Sequence, residues 1–169
     1  GLNLTAGEYR FSVDSPQVGL QLPAPEQRVD MGDINSRGYI DIQFVDTTGR
    51  GLNLASIMDN GAEFSLLIKN DAGQWVAPMG VGIVGTPTVV GDPSDLVFRY
   101  NFSGAFVPGV VRVQFSEGGF ADADGATNAA SEQQFAVVAN APAFEIRVDG
   151  SVLWRTGFAK GLYGNIADP

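Results

Sequence analysis

Apolar and polar residues alternate at a period of two along much of this chain, in runs about as long as ordinary β-strands. Tyr9, Phe11 and Val13 alternate with Arg10 and Ser12, and Ile40, Ile42 and Phe44 with Asp41 and Gln43. Phe64, Leu66 and Ile68 are set off by Glu63, Ser65 and Lys69; Leu96, Phe98, Tyr100 and Phe102 by Arg99 and Asn101. Val111, Val113 and Phe115 point one way with Arg112 and Gln114 the other, and Phe135 and Val137 continue the pattern. Helical periodicity is nearly absent; only the stretch from Leu52 to Asp59 hints at a short helical turn. Strands that are apolar on one side bury that side by packing two antiparallel sheets face to face. The pattern therefore predicts an all-β fold, a sandwich whose core runs from about Ser15 to Asn140, preceded by a strand at Tyr9 to Val13.

A hairpin follows the sandwich. Asp149-Gly150 separates Phe144 to Val148 from Ser151 to Arg155, and an Asp-Gly pair favours the tight turn whose central residues both need positive φ. A two-residue loop fixes the register, setting Ile146 opposite Leu153 and Glu145 opposite Trp154. The chain is thus expected to divide into a sandwich over 1–140 and a C-terminal hairpin and tail over 141–169.

An internal echo links Gly38 to Phe44 with Gly109 to Phe115, each leading through an acidic, Gly-rich loop to a further phenylalanine, Phe64 and Phe135. Two units of one sandwich solving the same packing problem account for it; duplication is the sharper alternative.

Composition narrows the function. Hydrophobic residues make up 44% of the 169 residues and phenylalanine occurs 11 times, enough for one sizeable core. The 22 glycines suit many short strands joined by tight turns. With 19 acidic and 10 basic residues the net charge is −9, which repels nucleic acid and leaves cations as admissible partners. There is no cysteine and no histidine, which removes disulfides, thiol chemistry, the commonest general base and the commonest transition-metal ligand. No apolar run approaches the roughly 20 residues that span a bilayer, and the first residues lack the form of a signal peptide, as expected of a mature chain or an excised piece.

Gly38 to Asp46, Gly51 to Ile57 and Gly61 to Leu66 resemble the opening strands of bacterial immunoglobulin-like repeats in large extracellular proteins and adhesins. Gly109 to Phe115, Phe120 to Asn128 and Phe135 to Val137 are similar to their closing strands. The resemblance covers Ser15 to Asn140. It implies an Ig-like antiparallel β-sandwich, here with an additional C-terminal β-hairpin. It further implies a structural or adhesive module, secreted or at the cell surface, that spaces or presents neighbouring modules of the same polypeptide.

Glu117, Asp122, Asp124 and Asn128 supply the oxygen donors that calcium prefers, although the spacing is not that of an EF-hand. The plainer alternative is an Asx-rich turn whose side chains cap local backbone. Asp46 and Asp59 in the corresponding earlier loop, and Asp30 and Asp33 before it, are expected to be solvated turn residues. Asp41 and Glu63 are expected outward on adjacent strands as a solubilising face, and no phosphate loop, nucleophile elbow or metalloprotease motif accompanies them. The chain reads as non-catalytic. A carbohydrate-binding sandwich is the competing function, with Trp75 and Trp154, and beside them Tyr39 and Tyr163, as the platforms for a surface glycan.

Overall fold

In a computed structural model the residues 15–139 are described in full, and two further strands, Pro142–Val148 and Ser151–Gly157, by their backbone pairing. The expected strand at Tyr9 to Val13, the Asp149-Gly150 turn and the tail after Gly157 lie outside the described residues.

Nine strands build two sheets: β1 (Gln17–Leu22), β2 (Arg28–Asp30), β3 (Tyr39–Val45), β4 (Phe64–Lys69), β5 (Trp75–Val76), β6 (Gly82–Val89), β7 (Val97–Ser103), β8 (Gly109–Phe115) and β9 (Ser131–Val138). One sheet has the order β1-β3-β7-β6 and the other β2-β9-β8-β4-β5. Neighbours are antiparallel except β2, which runs parallel to β9. The period-two segments became β3, β4, β7, β8 and β9. Their apolar sets share the inner faces: Ile40 lies opposite Tyr100 and Ile42 opposite Phe98 in the first sheet, Phe64 opposite Phe115 and Val111 opposite Phe135 in the second. All eight are buried in one continuous core.

Aromatic rings meet edge to face along the core, the arrangement their quadrupoles favour. Phe44 packs on Phe98 at 5.4 Å and Phe120 at 4.7 Å, and Phe106 on Phe102 at 5.0 Å and Phe135 at 6.1 Å. Burying one such side chain is worth about 1.5–3 kcal/mol, so this row carries much of the favourable side of folding.

A short helix, α1 (Met31–Arg37), corrects the expectation that only Leu52 to Asp59 turns helically; that stretch holds a single 3-10 turn at Leu54–Ser56. With only Ile34 fully buried, α1 is too short to show a period. Its ends did carry signals. Asp30 is the N-cap, accepting from Gly32 N at 2.7 Å and Asp33 N at 3.3 Å, and Gly38 closes the C-terminus in the left-handed region at φ 69°.

The connections gather at two poles. Segments 46–63, 90–96 and 116–130 form a loop pole. Opposite them, α1 and the segments 70–74, 77–81 and 104–108 form a helix pole, where Asn35 exchanges hydrogen bonds with the Phe106 backbone at 2.9 and 2.8 Å. The chain enters the sandwich at the loop pole, where Gln17 pairs with Val45, and leaves β9 at the helix pole, where Val137 pairs with Gly109.

The echoed segments prove structurally unlike. The loop 46–63 crosses from one sheet to the other, whereas 116–130 joins neighbours within one sheet. A shared packing problem accounts for the echo without a repeated unit.

Strands β10 (Pro142–Val148) and β11 (Ser151–Gly157) form a separate two-stranded sheet. Val148 lies opposite Ser151 and Arg147 opposite Val152, as the two-residue loop requires. The register then slips between Arg147 and Ile146, setting Trp154 opposite Ile146 and Arg155 opposite Glu145. This corrects the expected pairing of Trp154 with Glu145; a bulge changes which residues share a face.

Asp30→Ala removes the cap of α1 and should cost about 1 kcal/mol. For a domain of this size that lowers the melting temperature by roughly 2–4 °C, read in a thermal melt monitored by circular dichroism.

Candidate functional site

The loop pole concentrates the acidic residues, and its two long segments are sewn together. Asn53 N donates to Ala121 O at 3.0 Å and Ala123 N to Gly51 O at 2.9 Å, while Leu52 and Asp122 form an antiparallel bridge. Asp46 organises the first segment: its carboxylate accepts from Thr48 N, Gly49 N and Gly51 N at 3.2, 2.9 and 2.8 Å, and from the Thr48 hydroxyl. The Gly51 and Thr48 bonds hold its pKa below the usual range. Asp59 likewise accepts from Gly61 N at 2.6 Å.

In the second segment Asp122, buried, accepts from Asp124 N at 3.0 Å and Ala126 N at 2.8 Å. Asn128, also buried, accepts from Phe120 N at 3.1 Å and donates to Ser116 O and Ala129 O at 2.7 and 3.1 Å. Glu117 is exposed. Arg50, carried in from the first segment, places Nη1 3.5 Å from Asp122 Oδ2 and Nε 3.4 Å from Asp124 Oδ2. Burial acts to raise the Asp122 carboxyl, but the Ala126 and Asp124 N–H groups and the Arg50 charge outweigh it and hold the pKa low.

Asp122, Asp124 and Asn128 are each engaged within the chain. A hard cation takes six to eight oxygens, whereas Asp122 Oδ1 and Asn128 Oδ1 are engaged by backbone N–H groups and a guanidinium stands against both Asp122 and Asp124. No group of three or more His, Cys, Asp or Glu among the described residues is arranged to hold a metal ion. The counter-ion of the loop is the chain's own Arg50.

Asp41 and Glu63 depart from the expected exposed face, since both are buried and they belong to different sheets. Asp41 takes a two-pronged bond from Arg99, Nε to Oδ1 at 2.8 Å and Nη2 to Oδ2 at 2.9 Å, and the guanidinium of Arg99 also stacks 3.5 Å from the Tyr39 ring centre. The long side chain covers the carboxylate that period-two reading put in solvent. Glu63, just before β4, turns into the gap between the sheets and accepts from the Tyr100 hydroxyl of β7. Burial pushes its pKa up to about 7 against the lowering effect of that bond, and pushes the Tyr100 phenol upward too.

Trp75 opens β5 opposite Lys69, half-buried. Arg112 lies 4.0 Å from its ring centre and Lys69 Nζ 5.2 Å, so cations of the chain already occupy the ring. Arg112 is held there by Glu132 at 2.8 Å. The side chain of Trp154 and all of Tyr163 lie outside the described residues, and no shared sugar platform with Trp75 is defined.

Fold and sites together define a two-sheet β-sandwich whose buried carboxylates, Asp41, Glu63 and Asp122, each face an internal partner. Neither a scan against protein-family models nor a search of the curated proteins found a match for the chain.

Millimolar calcium should leave the melting temperature where chelator leaves it, while Arg50→Gln should lower it by stripping Asp122 of its counter-charge. A calcium-dependent rise in the melt would contradict this reading of the loop.

Glu63 has a raised folded pKa of about 7 against an ordinary 4.5, so its contribution to stability is complete below about 4.5, declines as pH rises to 7, and is flat above. Melting temperature should fall between pH 5 and 8, and Glu63→Gln should flatten part of that slope.

Proposed function

We propose that this chain is a non-catalytic, Ig-like structural or adhesive module of a secreted or cell-surface bacterial protein, spacing or presenting the domains beside it. One observation carries the reading: the chain enters at the loop pole and leaves at the helix pole, with β2 and β9 paired in parallel between them. A module threaded pole to pole adds its full length to a string of domains. Tension on its two ends slides β2 along β9, so the interstrand bonds share the force instead of opening singly.

The strand order supports the Ig-like assignment. The order β1-β3-β7-β6 follows that of the A, B, E and D strands of immunoglobulin domains, and β9-β8-β4 follows G, F and C. On this assignment Phe44, Phe64 and Phe115 fill the inner faces of β3, β4 and β8, the strands that would correspond to those carrying the disulfide and buried tryptophan of antibody domains. A non-catalytic role is supported by the buried carboxylates, each committed to a partner in the fold: Asp41 to Arg99, Glu63 to Tyr100 and Asp122 to Arg50.

Single-molecule pulling tests the mechanical role. The chain has no cysteine, so attachment points can be chosen freely. Pulled from its two ends the sandwich should unfold at a clearly higher force than when pulled between Ser15→Cys and Val89→Cys, which opens the first sheet from one pole. Equal forces in the two geometries would argue against it.

A further inference from the structure

At the loop pole, the strap 58–63 between the 3-10 turn and β4 is held by a single side chain. Met58, Asp59, Asn60, Gly61 and Ala62 are all exposed, whereas Glu63, which ends the strap, is 3% exposed. Asp59 bonds Gly61 N within the strap, and Met58 N reaches back to Leu54 O at 2.9 Å. Among the described residues, the hydrogen bonds that tie the strap to the two sheets both fall on Glu63. Its carbonyl accepts from Ser116 N, just past β8, at 2.9 Å, and its carboxyl accepts from the Tyr100 hydroxyl of β7. The fit is close: a Cβ added at Gly119 would lie 3.3 Å from both the Cβ and the carbonyl oxygen of Glu63.

A carboxyl in this position is well held when neutral and poorly held when charged. Its partner across the sheets is a neutral phenol, and no lysine or arginine among the described residues is paired with it. Arg99, beside Tyr100 in β7, is engaged by Asp41; in the segment after β8, Glu117 is exposed and Asp122 is turned to Arg50. The one further charge that acts on Glu63 is Asp59 of the strap, which is of like sign. Burial has raised the Glu63 pKa from 4.5 to about 7, so the closed strap is fully favoured below 4.5, loses ground as pH climbs to 7 and is level above. Lifting the strap returns the charge to water and sacrifices little packing, because the five residues before Glu63 are already exposed.

We infer that the strap 58–63 is a pH-sensitive latch on the loop pole: with Glu63 neutral it is bolted to both sheets, and with Glu63 ionised it lifts away while the sandwich beneath stays folded. The opening is local because the bonds that sew 50–53 to 121–123 lie outside the strap and contain no group that Glu63 touches. The lifted strap uncovers the Tyr100 hydroxyl and the loop-pole end of the gap between the sheets.

Residue-resolved hydrogen exchange by NMR on the whole chain tests this, with the Ser116 amide as reporter because Glu63 O is its acceptor. After correction for the intrinsic pH dependence of exchange, protection of Ser116 should fall by about tenfold or more from pH 5 to pH 8. At pH 8 it should stand about tenfold or more below that of Val113 in β8, which marks opening of the strap without the sheets. Glu63→Gln, whose side-chain carbonyl still accepts from Tyr100 and carries no charge, should hold Ser116 protection level across the same range. If Glu63→Gln does not fold, Tyr100→Phe takes its place: it removes the hydroxyl bond that lowers the Glu63 pKa, so the fall should move to higher pH. Ser116 exchanging in step with Val113 at every pH overturns the inference, because the strap then leaves only with the whole sandwich. So does a fall that survives Glu63→Gln or stays in place in Tyr100→Phe, since another group is then responsible.

Discussion

The contact between the two inner sheet faces is the constraint on which the remaining structure depends. Each central strand offers one apolar row, and those rows have no other place to go. Phe44 is a focal point, touching Phe98 within its own sheet and Phe120 from the loop 116–130. The loop pole is thereby drawn onto the core, and its polar backbone must be satisfied where it lands. Asp46, Asp122 and Asn128 accept that backbone, and Arg50 balances the charge they bring. The acidic loops follow from the packing, as internal scaffolding for two segments that cannot form sheet.

What the sequence made legible tracks how completely a strand is enclosed. The central strands β3, β4, β7, β8 and β9 announce themselves because one face is buried along nearly their whole length. The edge strands β1, β2, β5 and β6 do not: β2 has three residues, β5 two, and β6 breaks register around Gly85 and Pro87. Such interruptions suit an edge, where unpaired backbone must not invite another chain. The helix α1 was visible only in its caps, Asp30 and Gly38, since one fully buried residue makes no periodic signal.

The sites were less legible because their partners are distant in sequence. The acidic run from Asp122 to Asn128 can be read directly, but nothing local says that Arg50 will meet it. Asp41 is on the outward row that alternation assigns, and only the cross-strand neighbour Arg99 with Tyr39 explains its burial. Glu63 sits just outside the period of β4, where alternation has no authority. In the hairpin the turn fixed the first two pairs correctly, and a bulge beyond its reach decided where Trp154 falls.

The parallel pairing of β2 with β9 joins an early part of the chain to the last strand of the sandwich. As synthesis releases the polypeptide from its N-terminus, β2 has no partner until β9 has emerged, and the second sheet stays open on that side. Closure is therefore withheld until the sandwich is almost wholly delivered, a late commitment of the kind non-local pairing imposes. An early and a late strand of one sheet are thus joined by a lock that cannot close until nearly the whole sandwich is present.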